Sequence, residues 1–399
     1  MRLPLLTSAL VAATVAALGP ALPATATTAG AAAGARSLEI PAGASSIGIR
    51  GEGHGHGHGM SQYGALGAAR AGLGHRQILA HYYPGTQVGR TGGKVRVLLA
   101  TATPTRVRAT AKLKVQVVGG RSWKVSRQSK KVRRATQWRA RGLSGKRTRI
   151  EYRTGSRWRT FRKVSGDVAF SAGKVPLRLK AGADSGTFRG RLVAARTSAG
   201  GKRRDVVNVV PVEQYLRGVV PEEMPALWKP AAVRAQAVAA RSYVAFEKAT
   251  TDRGHFDVYD TTRSQVYGGA GAEHRASDRA VRATAHEIRT YRSRPAFTQF
   301  TASNGGHTLA NSAVPYLVSG PDRYDPVRTW STRVDLSRFA ERFGSTWPLA
   351  SIEVRTHPQA GRWVESVVLT GTDGRTNTVP GSTFASWAGL PSGSFRFVP

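Results

Sequence analysis

Val206-Val207-Asn208-Val209-Val210-Pro211-Val212-Glu213-Gln214-Tyr215-Leu216-Arg217-Gly218-Val219-Val220-Pro221 changes its period halfway. The β-branched run Val206–Val210 reads as a strand. Pro211 suits the first turn of a helix, where its missing N–H would have no partner in any case. That helix is expected to run through Val220 and stop at Pro221. Pro230 opens a second helix reaching about Lys248. Its Ala231-Ala232-Val233-Arg234-Ala235-Gln236-Ala237-Val238-Ala239-Ala240-Arg241 is small on nearly every face, which implies burial among neighbours rather than one solvent-facing stripe. A helix from Ser277 to about Thr284 follows, with strands near 287–291 and 296–301. The class is α+β, with a mixed helix–strand core over 206–320.

Upstream the texture differs. Residues 46–92 begin Gly-rich and end in a short helical pattern, Gln77 to Tyr83, closed by Pro84-Gly85. From Lys94 to about 195, runs such as Val95-Arg96-Val97-Leu98-Leu99 and Lys112-Leu113-Lys114-Val115-Gln116-Val117 predict short strands. Residues 93–205 are thus expected to form an inserted, basic β-rich unit. Trp123, Trp138 and Trp158 lie among its cations, where they either fill a small β core or stack on sugars and bases. Downstream, 321–399 alternates β-like runs with Gly/Pro turns, a β-rich C-terminal region.

The first residues address the chain. Arg2, the apolar run Leu3–Leu22 and Ala24-Thr25-Ala26 form a signal peptide over 1–26, with a flexible Ala/Gly/Thr linker over 27–45. No later stretch approaches the ~18 apolar residues of a membrane span, so none is expected once the signal is cleaved. The expected location is secreted, associated with the cell wall. The chain has no cysteine, which excludes disulfides and thiolate metal sites.

The net charge is +37, from 60 basic and 23 acidic residues. Residues 93–204 hold 32 Lys/Arg against Glu151, Asp167 and Asp184, a net of +29. Such a segment needs a polyanion. For an exported chain this means anionic wall polymers, and no specific nucleic acid is expected.

Three places could carry chemistry. Glu222-Glu223-Met224-Pro225 falls between two prolines beside apolar neighbours, where partial burial would raise a carboxyl pKa as a general acid requires. Alternatively, both glutamates are solvated turn residues, or favour the next helix's N-terminus. In Gly51-Glu52-Gly53-His54-Gly55-His56-Gly57-His58-Gly59-Met60-Ser61-Gln62, alternate glycines permit φ > 0 and close backbone approach to a ligand. Its histidines could hold a divalent ion only if the Gly-rich backbone is regular, and no metal or cofactor is assigned. Thr301-Ala302-Ser303-Asn304-Gly305-Gly306-His307-Thr308 ends a strand in paired glycines but lacks a nucleophile elbow.

Together these segments resemble a known family. Tyr215–Pro225 with Ala235-Gln236-Ala237-Val238-Ala239-Ala240-Arg241-Ser242-Tyr243 is similar to the signature of the sporulation stage II protein D / LytB family. Gln265-Val266-Tyr267-Gly268-Gly269 and Ser303–Thr308 resemble its next landmarks. Gly55–Ala65 with Ile78–Thr86 resembles the stretch usually found at the domain's C-terminal end. Here it comes first, as in a permuted actinobacterial arrangement. The resemblance implies a peptidoglycan lytic transglycosylase, or a non-catalytic enhancer of an N-acetylmuramoyl-L-alanine amidase. Its essential acid maps onto Glu223. His56, Ser61, Gln62, Gln236, Ser303, Asn304, Gly305 and Gly306 become candidates for binding peptidoglycan glycan strands. The family's Cys/His zinc site is not reproduced. Tyr259 and Ser264 stand where its cysteines would be, which leaves His255 an ordinary loop histidine.

Overall fold

The computed structural model describes residues 36–181, 185–197, 201–343 and 348–398. The expected signal peptide and the linker residues before Arg36 lie outside them. The chain divides into two compact units, one of residues up to Gly85 with Thr298 onward, the other Thr86–Phe297. Each unit holds both strands and helices, consistent with the α+β class. Among the described residues no helix is long and apolar enough to cross a membrane.

The unit Thr86–Phe297 carries a seven-stranded sheet. Its strand order is Val258–Tyr259, Lys94–Ala100, Arg204–Pro211, Arg191–Arg196, Val168–Ser171, Lys114–Val117, Ser122–Lys124. The strand Arg204–Pro211 therefore lies between strands of the basic segment, paired Val207 to Leu98 on one side and Val207 to Val193 on the other. A six-stranded sheet follows Arg157–Ser165, Arg147–Thr154, Gln137–Gly142, Thr105–Arg108, Leu177–Leu179, Gly186–Phe188. Alternation builds it: Thr148, Ile150 and Tyr152 are buried while Arg147, Arg149 and Arg153 take the other face. Trp138 is fully buried, 5.6 Å from the Tyr152 ring and 5.2 Å from that of Phe161. It fills the β core, the plainer of the two roles its sequence allowed.

Three helices flank these sheets, Val212–Glu223, Pro230–Thr250 and Arg275–Ala283. The second is buried around most of its circumference, as its alanines demand. Pro221 does not end the first. A proline in the last turn loses one N–H bond but keeps a helical φ, and the Met224 N–H closes the turn on the Val220 carbonyl at 3.0 Å. Arg241, fully buried, binds Glu213 with two N–H···O bonds of 2.9 Å and donates to the Glu287 and Val281 carbonyls. One guanidinium thus ties all three helices and the following strand together.

The other unit joins the two ends of the described chain. Ser46–Glu52 lies between Thr329–Asp335 and Phe395–Val398. A second sheet runs Arg36–Glu39, Leu349–Thr356, Val364–Gly371, Thr376–Pro380. Ile49, Ile352, Val367, Leu369 and Phe384 form its core at zero exposure. The expected β-rich region also holds two helices, Ser337–Phe343 and Gly381–Ala388. The latter ends at Gly389, whose φ of +66° is left-handed.

Candidate active site

Glu223 closes the helix Val212–Glu223, so its carboxyl leaves a rigid element rather than the loop the paired prolines suggested. The half-buried side chain accepts the Val266 N–H at 2.9 Å on Oε1. Burial pushes its pKa up to about 7 and the neighbouring Glu222 charge adds to the rise, while the Val266 N–H pulls the other way. The carboxyl of Glu223 also raises the phenol pKa values of Tyr215 and Tyr243, after the larger effect of burial.

Glycines bring the 265–269 segment this close. A Cβ on Gly218 would meet the Gly269 carbonyl oxygen at 2.5 Å, and one on Gly268 would meet Glu222 Oε1 at 2.6 Å. The Gly268 N–H donates to the Gly218 carbonyl at 3.0 Å. Tyr267 anchors the loop from below, its hydroxyl donating to Asn208 Oδ1 at 2.8 Å. Tyr215 donates to Gln265 Oε1 at 3.3 Å. Two motifs some forty residues apart in sequence thus form one wall beside Glu223, with Glu222 next to it.

Gln236 belongs to the same unit and is fully buried in its helix. Its amide lies in the interior of the unit.

The remaining expected site residues belong to the other unit. Ser61, Ser303, Asn304 and Gly305 come together around Asp325. Ser61 Oγ donates to Asp325 Oδ2 at 2.9 Å, Ser303 Oγ donates to the same carboxylate at 3.0 Å, and the Asn304 N–H at 2.5 Å. Ser61 also caps the helix Gln62–Arg70 by accepting the Gly64 N–H, and Gly305 N–H donates to Ser303 Oγ at 3.3 Å. The Gly306 N–H bonds Asn304 Oδ1 at 3.0 Å. Asn304 Nδ2 donates to Asp322 Oδ2 at 2.7 Å, as does the Tyr82 hydroxyl. Burial raises the Asp325 pKa. At Asp322 burial pushes up too, but bonds from His81, Tyr82 and Asn304 outweigh it and hold the carboxyl below its ordinary value.

Ser61 and Ser303 have no exposure and Asn304 1%. These side chains are buried and bonded inside the unit, where they hold the loops that carry them. Asp322 and Asp325, the centre of the network, were not among the candidates. Their signal is the turn Pro321-Asp322-Arg323-Tyr324-Asp325-Pro326.

The Gly/His segment adopts the expected left-handed backbone, with φ of +76° at Gly53, +107° at Gly55, +76° at Gly57 and +68° at Gly59. The close approach it permits is to the protein itself. A Cβ on Gly53 would lie 2.8 Å from the Ser303 carbonyl oxygen, and one on Gly59 2.1 Å from that of Gln299. His56 and His58 stack at 5.4 Å, with the His58 N–H donating to His56 Nδ1 at 3.0 Å. Burial depresses both imidazoles, His56 to about 3, so they are neutral near pH 7. Gln62 starts the helix Gln62–Arg70 and is half-buried.

Tyr259 and Ser264, where the resemblance would put cysteines, are adjacent in space. The Tyr259 N–H donates to Ser264 Oγ at 3.2 Å, and the Arg263 guanidinium lies 3.6 Å from the Tyr259 ring centroid. Neither a phenol nor a backbone-bonded hydroxyl substitutes for zinc-binding thiolates, so these residues do not fit that metal. His255 is not an idle loop residue: its Nε2 sits 2.8 Å from Asp205 Oδ2, and Asp205 also accepts the Ala102 N–H at 2.9 Å.

The family described as stage II sporulation protein matches residues 200–291, which include Glu223, Gln236 and the 265–269 loop. The chain is 31% identical to an uncharacterized protein of Brachyspira hyodysenteriae over 44% of this chain and 52% of that protein. It is 39% identical to the amidase enhancer of Bacillus subtilis over 29% of this chain and 16% of that one. Stage II sporulation protein D of the same organism is 29% identical over 48% and 61%. The chain thus spans about half the length of most of these relatives, and far less of the enhancer.

Proposed function

The chain belongs to the family of stage II sporulation protein D and the amidase enhancer, and from that premise we propose a secreted, wall-associated lytic transglycosylase acting on peptidoglycan glycan strands. The observation that carries the reading is the Glu223 carboxyl, bound by the Val266 amide and holding its proton to about pH 7. Protonated Glu223 donates to the glycosidic oxygen between N-acetylmuramic acid and N-acetylglucosamine. The carboxylate so formed takes the proton of the muramyl C6 hydroxyl, whose oxygen closes on C1 to give a 1,6-anhydro end. No water is consumed, so one carboxyl serves where hydrolytic glycosidases need two. Val266 fixes the carboxyl's orientation through both transfers.

The test is mass spectrometry of soluble products from purified glycan strands, with Glu223→Gln in parallel. Anhydromuramyl ends made only by the unaltered protein support the reading. Reducing ends would instead demand a second carboxylate. A second reading, a non-catalytic partner of a cell-wall amidase, is favoured by the 39% identity to the amidase enhancer. It expects no cleavage, and stimulation of an amidase that Glu223→Gln leaves intact.

A further inference from the structure

We propose that the solvent face of the sheet formed by Thr105–Arg108, Gln137–Gly142, Arg147–Thr154 and Arg157–Ser165 binds a base-free phosphodiester polymer, of the polyol-phosphate kind.

The strand register carries the argument. Because Thr148, Ile150, Tyr152, Trp138, Ala140, Thr105 and Val107 are buried, the pleat sends their neighbours to the opposite face. Arg106, Arg108, Arg139, Arg141, Arg147, Arg149, Arg153 and Lys163 share that face. Lys163 pairs directly with Arg149, and Arg149 with Arg141, so three cations stand abreast across three strands. Like charges directly opposite one another destabilise a sheet. Among the described residues, no carboxylate lies within salt-bridge range of Arg149, Lys163 or Arg108.

The four strands contain one acid, Glu151. It is buried, 2.7 Å from Arg139 Nε and 3.8 Å from Arg141 Nε, and so is shared already. In the row Lys163–Arg149–Arg141, Lys163 and Arg149 are left to an outside anion and Arg141 has only the longer contact with Glu151. Neighbouring strands lie ~4.8 Å apart and same-face residues along a strand ~6.8 Å apart. This grid meets a chain bearing a charge on every repeat better than it meets a single small anion.

The aromatic residue on this face argues against nucleic acid. Trp158 is opposite Arg153, with the Arg139 guanidinium 4.1 Å and that of Arg106 5.6 Å from its ring centroid. Proteins that hold single-stranded nucleic acid offer bare aromatic faces for bases to stack on. Here cations lie over the ring, so recognition rests on charge and needs no base.

Binding of the full-length mature chain to poly(glycerol phosphate) is measured across a range of salt, beside single-stranded DNA of equal charge. The variants are Arg149→Gln and the triple Arg141→Gln, Arg149→Gln, Lys163→Gln. The polymer is expected to bind more tightly than the DNA. The slope of log affinity against log salt should fall by about 0.7 in the single variant and about 2 in the triple, at the ~0.7 per contact of single-stranded chains. Without polymer, relief of the like-charge row should leave the triple variant at least as resistant to heat as the parent. If the triple variant fails to fold, the single variant reads the same slope. Unchanged slopes in both variants overturn the site, and tighter binding of DNA at equal salt overturns the polymer.

Discussion

The Val266 amide donates to Glu223 Oε1 at 2.9 Å, yet the carboxyl keeps its proton to about pH 7. An N–H aimed at a carboxylate ordinarily lowers its pKa, so burial at the end of the helix Val212–Glu223 must be the larger effect. The proposed reaction starts from the protonated form. Glycan cleavage is therefore expected to hold through mildly acidic pH and decline above about pH 7, roughly tenfold per unit once Glu223 is ionised. A pH–rate profile on purified strands checks this, and a limb unmoved from the ordinary carboxyl range would remove Glu223 as the acid.

The same shift has a consequence for stability. The folded state raises this pKa from 4.5 to about 7, so between those values it binds more protons than the unfolded chain and loses stability as pH rises. At ~1.4 kcal/mol per unit, the cost at pH 8 reaches about 3 kcal/mol at most, less what solvent screens at a half-buried group. Glu223→Gln carries no charge to desolvate. It should melt above the parent at pH 8 and match it near pH 4.5, while cleaving nothing at either pH. Thermal unfolding at the two pH values is the measurement.

Much of this unit was legible. The change of period at Pro211 and the all-round alanines of Pro230–Thr250 are local signals with local causes. Pro221 misled because a proline in a last turn costs only one bond, which pattern alone does not distinguish from a stop. The Asp325 network was illegible for another reason. Ser61 and Asp325 are 264 positions apart, and only the fold brings them to 2.9 Å. The cation row is likewise a fact of register: composition shows the charge, but not that Lys163, Arg149 and Arg141 stand abreast.

A glycine of the Gly/His segment and one that precedes it offer a graded test. Gly43 and Gly59 both have left-handed φ, +80° and +68°, but a Cβ on Gly43 meets nothing within 4 Å while one on Gly59 meets the Gln299 carbonyl oxygen at 2.1 Å. Gly43→Ala should then cost only the ~1–2 kcal/mol of the backbone conformation. Gly59→Ala adds ~1–3 kcal/mol of overpacking against backbone that cannot step aside. Chemical denaturation should rank Gly59→Ala clearly below Gly43→Ala. Equal losses would mean that Gly59 does not lie against the Gln299 carbonyl.

Asp325 should prove the most costly polar position in its unit. Its carboxylate accepts Ser61 Oγ, Ser303 Oγ and the Asn304 N–H, all from buried residues. In Asp325→Asn, one acceptor oxygen becomes an NH2 that faces donors already in place. A buried donor without a partner costs ~1–3 kcal/mol, so a loss of about 2–4 kcal/mol is expected. Ser303→Ala removes one donor and leaves the carboxylate two, also takes away the acceptor of the 3.3 Å bond from the Gly305 N–H, and should cost about 1–2 kcal/mol. Hydrogen exchange separates a local from a global effect: the Asn304 amide should lose protection in Asp325→Asn and keep most of it in Ser303→Ala. If both variants exchange alike, Asp325 is not what holds the paired glycines Gly305-Gly306 in place.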